Sequence, residues 1–173
     1  MRAVKKHNFE AVSLLTVKEG VLDVTIIPAS HQPKWMVPTE LILDTVAYDE
    51  HIWTYLWHAQ AQAQAQEVSV YHLSLRHEAV DTLVILEGNT DAHRLALQTK
   101  GTLEHRQVRI SDVKDAQLPR GQRVQMMAEL PNLLGGSDER KLDYIFQTVS
   151  IDDELYIVPD IDLIAHCLVD LDS

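Results

Sequence analysis

What most limits the folds open to this chain is the shortness of its apolar segments. Until the last few residues, none continues at helical spacing, and most repeat at every second position. In Leu22-Asp23-Val24-Thr25-Ile26 the three aliphatic residues share one parity and the polar pair the other, the pattern of a half-buried strand. Pro28 ends it. Ile52-Trp53-Thr54-Tyr55-Leu56-Trp57 is aromatic and β-branched, which suits a pleated surface. Val68-Ser69-Val70-Tyr71-His72-Leu73 follows as its partner. Leu83-Val84-Ile85-Leu86, closed by Glu87-Gly88-Asn89, is an unbroken apolar run and predicts a strand buried on both faces. Leu95 and Leu97, then Val108 and Ile110, alternate with other residues. Tyr144 to Ile151 and Leu155-Tyr156-Ile157-Val158 complete the series, with Asp152-Asp153 as the turn between them.

Two stretches depart from this pattern. Ala59 to Gln66 is an Ala-Gln repeat that carries no charge and little apolar bulk, so it reads first as a flexible hairpin tip and second, since Ala and Gln favour helix locally, as a short helix. After Pro159, the residues Ile161, Ile164, Leu168 and Leu171 follow at steps of three, four and three. They predict an amphipathic C-terminal helix with Asp160 as its N-cap. Eight to ten short strands and one terminal helix point to an all-β chain of the barrel or sandwich kind. With only 6 glycines in 173 residues, tight two-residue hairpins are not expected to dominate.

Composition narrows the function. Lys plus Arg number 15 against 26 Asp plus Glu, a formal charge of −11. That argues against a protein that tracks phosphates along nucleic acid and against a polybasic membrane patch. No apolar run is long enough for a transmembrane helix, and Met1 to His7 is basic without an apolar core, so neither membrane insertion nor secretion is expected. The single cysteine, Cys167, allows no intramolecular disulfide and fits a reducing compartment. The expected class is a soluble, acidic, cytoplasmic protein.

A search for reactive chemistry yields little. The 9 histidines show no His-x-His and no HExxH spacing, so no metal site is expected. No nucleophile elbow, P-loop or dinucleotide fingerprint occurs, and no cofactor is expected. Asp152-Asp153 and Asp160-x-Asp162 are better read as turn and cap than as acid–base pairs. Of the tryptophans, Trp53 reads as core, whereas Trp35, beside Lys34 and after a proline loop, reads as an exposed interface residue.

Several segments, taken in order, carry a family resemblance. Val37-Pro38-Thr39-Glu40-Leu41-Ile42-Leu43-Asp44 is a Pro-containing stretch leading to an acidic position. Next come Ile52 to His58 and Gln66 to Leu73, then Leu83 to Gly88 with His93 to Gln98, then Val108 to Val113 and Leu130 to Gly135. Tyr144 to Val149 and Leu155 to Ile164 close the series, the last being a strand that runs into a helix through an acidic cap. Over residues 20–170 this order resembles the CheW-like coupling domain of bacterial chemosensory systems, and most nearly its divergent members in type IV pilus (twitching motility) systems. His58 stands where the family has arginine, Ser69 where it has proline, and the Ala-Gln repeat where it has a glycine turn.

The resemblance implies two packed five-stranded β-barrels of SH3 or OB kind, a C-terminal helix, and an N-terminal extension over residues 1–19 preceding a domain over 20–173. It implies a non-enzymatic adaptor that couples a chemoreceptor signalling tip to the regulatory domain of a CheA-like histidine kinase. Asp44, Trp57, His58, Glu67 and Val68 would lie at the partner-facing surface. Two other readings compete with it. One is a small β-barrel hydrolase or metal-dependent enzyme using the histidines and the Asp160–Asp162 pair, which needs three of the histidines between His31 and His105 to converge. The other is a subunit that self-assembles through the Ala-Gln tract.

Overall fold

A computed structural model describes residues 17–18, 20–58, 64–88, 94–121, 146–161 and 164–165. The described residues are mostly strand. The strands are Val17–Lys18 (β1), Val21–Ile27 (β2), Lys34–Pro38 (β3), Ile42–Ala47 (β4), Thr54–Trp57 (β5), Gln66–His72 (β6), Thr82–Leu86 (β7), Leu95–Thr99 (β8), Glu104–Arg109 (β9), Lys114–Asp115 (β10), Phe146–Ile151 (β11) and Glu154–Pro159 (β12). They form two curled sheets in two compact units. One unit comprises Met1–Glu40 with Thr102–Asp160, the other Leu41–Gly101 with Ile161–Ser173. The chain thus enters the first unit, leaves it for the second, returns, and finishes in the second.

The first sheet runs β1-β2-β3-β12-β11-β10, with β9 also paired to β2. Strands β9 and β10 lie at opposite ends of this path yet are joined by a single 3-10 turn at Ile110–Asp112, so one stretch of chain serves both ends of the sheet. Alternation decides its inner face. Leu22, Val24 and Ile26 of β2 pack with Met36, Val108, Val149, Ile151, Tyr156 and Val158. The alternation read from the sequence at β2 is therefore the one observed, and Pro28 follows its last residue. β1 lies within residues 1–19 and pairs with β2.

The turn between β11 and β12 consists of Asp152 and Asp153, with φ of 52° and 67°, and Ile151 faces Glu154 across it. Two successive left-handed residues make a type I′ hairpin. Asp tolerates that conformation because its short carboxylate hydrogen-bonds locally. A tight two-residue hairpin thus forms without glycine, at the turn read from Asp152-Asp153.

The second sheet has the order β4-β7-β8-β6-β5. In β7, Leu83, Val84, Ile85 and Leu86 are all fully buried, as the unbroken apolar run predicts. Removing side chains of this kind from water stabilises by about 1.5–3 kcal/mol each. β5 and β6 form the expected antiparallel hairpin, Trp57 facing Gln66; of the Ala-Gln tract between them, residues 59–63 lie outside the described residues. Of the anticipated C-terminal helix, Ile161, Ile164 and Ala165 are helical and buried, while Cys167, Leu168 and Leu171 lie outside the described residues. Among the described residues no helix is long and apolar enough to cross a membrane.

Candidate functional site

Of the residues singled out in the sequence, Asp44 and Trp57 lie on β4 and β5, the two edge strands of the second sheet, His58 follows β5, and Glu67 and Val68 lie on the neighbouring β6. A register shift between Ile42 and Asp44 in the β4–β7 pairing marks an irregularity at Leu43. Leu43 packs on the core while Asp44 is exposed. Such a bulge re-aims the side chains around it. The Asp44 carboxylate is committed on both oxygens. Oδ1 accepts the Thr45 amide at 2.8 Å, and Oδ2 accepts the Trp57 indole N–H at 3.0 Å. This second bond links the two edge strands side chain to side chain.

Trp57 is a core residue, 6% exposed, clustered with Val68, Val70, Leu83, Ile85 and Ala96. The Arg94 guanidinium lies 5.4 Å from its ring centroid, within cation–π range. Arg94 also donates through Nη1 to Gln66 Oε1 at 2.9 Å and pairs through Nε with Glu87 Oε1 at 3.3 Å. Trp57 and Val68, which the resemblance had placed at the partner-facing surface, are buried in the core of this sheet. The parity that turns Trp57 inward on β5 pairs with the parity that turns Val68 inward on β6. Asp44, His58 and Glu67 are exposed.

Two large apolar residues that sequence reasoning did not assign to this surface are exposed there: Leu56 at 65% and Trp53 at 63%. Leu56 lies directly across the ladder from Glu67, so an aliphatic and an acidic side chain share the outer face of the hairpin. The signal for Leu56 was present in its parity, opposite to that of Trp57. Trp53 shares the parity of Trp57, but β5 begins only at Thr54, so alternation no longer governs it.

The reading of the tryptophans is reversed. Trp53 is exposed, whereas Trp35 is fully buried on β3, its indole N–H held by Gln32 Oε1 at 2.7 Å. Trp35 occupies an interior position of a strand paired on both sides, by β2 and by β12. The proline loop before it does not bring it to the surface.

Trp53 stands edge-on to His72 at 4.9 Å, with the Arg76 guanidinium 4.8 Å from its ring centroid. His72 faces His51 at 5.4 Å. Burial holds the His72 pKa below the ordinary histidine value, helped by the facing His51 and by the Arg76 charge, while its bond to the Ile52 carbonyl acts the other way.

Among the described residues no further histidine, cysteine or carboxylate is grouped with this pair to hold a metal ion. His105 Nδ1 lies 3.0 Å from Thr25 Oγ1, which is also 3.0 Å from Thr39 Oγ1. Thr25 has no accessible surface, so no substrate can reach its hydroxyl. His93 lies outside the described residues. Among the described residues no group of three or more His, Cys, Asp or Glu is arranged to hold a metal ion. Compared with models of known protein families and with curated protein sequences, the chain matches none.

Proposed function

We propose that this chain is a CheW-like adaptor that couples chemoreceptors to a CheA-like histidine kinase, with control of type IV pilus motility as its output. On this reading each unit is a five-stranded barrel and residues from Ile161 onward form the closing helix. The topology supports it. The second sheet has five strands whose edges are linked through Asp44 and Trp57. In the first, β9 and β10 belong to one stretch of chain, so beside the two-residue β1 the strands β2, β3, β12, β11 and that stretch make five. The reading places the protein in the cytoplasm, without cofactor or chemistry of its own.

The observation that carries the adaptor reading is the pair of exposed apolar side chains, Trp53 and Leu56, at 63% and 65% exposure. Leu56 lies on a strand at the edge of its sheet, and Trp53 immediately precedes that strand. Single exposed aliphatics are common, but an edge strand offers unpaired backbone as well. Extended segments dock on such edges by continuing the ladder, with alternate side chains giving specificity. Glu67 beside Leu56, on a chain of charge −11, suits a partner that offers an apolar residue with a basic neighbour.

The test is a binding titration of the full chain against the regulatory domain of a chemosensory kinase and against a receptor signalling-tip fragment from the same cell. Binding to either is expected, with the paired substitution Trp53→Ala and Leu56→Asp weakening it at least tenfold while circular dichroism stays unchanged. Asp44→Lys combined with His58→Glu should weaken it too. No binding to either component by the wild-type chain would overturn the proposal.

A further inference from the structure

Strand β5 pairs with β6 on one side only. The register decides which of its backbone groups stay free. The Val70 amide donates to the Trp53 carbonyl at 2.9 Å, and these two residues continue the pairing of Thr54 with Ser69. Hydrogen-bonded pairs recur at every second residue of an antiparallel ladder, so Tyr55 and Trp57 bond to β6 as Trp53 does. The N–H and C=O groups of Thr54 and Leu56 point the other way, to the free edge, and both residues are exposed.

The two ends of this edge differ in charge. At the Trp53 end the exposed Arg76 sets its guanidinium 4.8 Å from the indole centroid. Among the described residues Arg76 forms no hydrogen bond or ion pair. A guanidinium placed over an aromatic face is held there without using its N–H groups, and that planar fork can take a carboxylate through two hydrogen bonds. Of the carboxylates close in sequence, Glu78 Oε1 accepts the Leu75 amide at 2.7 Å, while Asp49 and Glu50 are exposed on the segment before Trp53. At the Trp57 end the sign reverses. Exposed Glu67 stands across from Leu56, and the exposed Asp44 carboxylate accepts the Trp57 indole N–H at 3.0 Å.

We infer that the free edge of β5 receives an extended segment of the partner that carries a carboxylate where it passes Trp53 and Arg76, and a cationic side chain where it passes Leu56 and Glu67. The docking edge comes from the adaptor reading, on which this inference rests; what is added is the chemistry of the segment that docks. Trp53 and Leu56 are three residues apart, about 10 Å at about 3.3 Å per residue, so the two charges stand three positions apart on the docked strand. Backbone bonds to Thr54 and Leu56 extend the ladder whatever the side chains are. The charges fix the register, because a slip of two residues separates both pairs at once. On a chain of charge −11 the cationic side chain also offsets the repulsion that a purely acidic segment meets.

The experiment is an NMR titration of the isotope-labelled full chain with the peptide acetyl-Thr-Glu-Val-Thr-Lys-Val-Thr-amide and with its Glu→Gln and Lys→Gln analogues. The backbone amides of Thr54 and Leu56 are expected to shift on binding. Each analogue should bind about two- to fivefold more weakly, the range for one exposed ion pair. In Arg76→Gln the penalty of the Glu→Gln analogue should vanish while that of the Lys→Gln analogue persists, and in Glu67→Gln the reverse. Should either variant fail to fold, salt decides: as it rises, the parent peptide must lose its advantage over the doubly Gln-substituted one on the wild-type chain. Penalties that are the same in all three chains, or amides of Thr54 and Leu56 that do not move, overturn the inference. A kinase regulatory domain that binds while the peptide leaves these amides unmoved overturns the inference and leaves the adaptor reading standing. A peptide that binds with the expected couplings, while neither the kinase domain nor the receptor fragment binds, supports the edge chemistry and overturns the adaptor reading.

Discussion

The bond between Trp57 Nε1 and Asp44 Oδ2 shows how one side-chain pair can join the two edges of a sheet. The donor is buried and the acceptor exposed, so the loss of each costs stability for a different reason. Trp57→Phe removes the donor and leaves the aromatic packing largely intact. Asp44 can then turn to water, and the loss should be about 1–2 kcal/mol in urea denaturation. Asp44→Ala leaves a buried N–H unpaired at a similar cost of about 1–2 kcal/mol. Asp44→Asn retains an acceptor and should cost less. Because the two residues touch, the double variant should fall short of the sum by about 1 kcal/mol, which a mutant cycle measures. Asp44 was legible as an acidic position before a strand, but its partner was not. A bond between two edge strands of a sheet depends on how the sheet curls, and no local pattern encodes that.

Among the elements, β7 and β5 contrast in burial: β7 is buried from Leu83 to Leu86, whereas β5 exposes Thr54 and Leu56. Leu83→Ala in β7 removes a fully buried side chain and should destabilise by about 2–5 kcal/mol, whereas Leu56→Lys in β5 should stay within about 0.5 kcal/mol. Thermal unfolding of the two variants side by side checks that the strand faces are assigned correctly. The β11–β12 hairpin yields a prediction of the opposite sign. Asp152 and Asp153 both adopt positive φ, where Asn-Gly is the preferred pair. Replacing them with Asn and Gly should raise stability by about 0.5–1 kcal/mol, seen as a higher Tm. These elements were readable because parity and turn chemistry are properties of a few adjacent residues.

For the whole molecule, the pairings that define the two sheets join distant parts of the chain. β12 pairs in parallel with β3, placing Ile157 beside Trp35, and β2 pairs with β9. Such contacts must close long loops before they contribute, so folding followed by tryptophan fluorescence should take milliseconds to seconds rather than microseconds. The amino-acid order alone determined that the chain is rich in short strands, where β2, β5 to β9, β11 and β12 run, which face of β2 is apolar, and that β7 is buried on both faces. Those features follow from a period of two along a pleated backbone. Only the tertiary structure decided that Trp35 is buried while Trp53 is exposed, and that Arg94 covers Trp57. It alone brought His51 against His72. Each of these depends on which strands become neighbours, and that choice rests on packing the whole sheet rather than on any one segment's pattern.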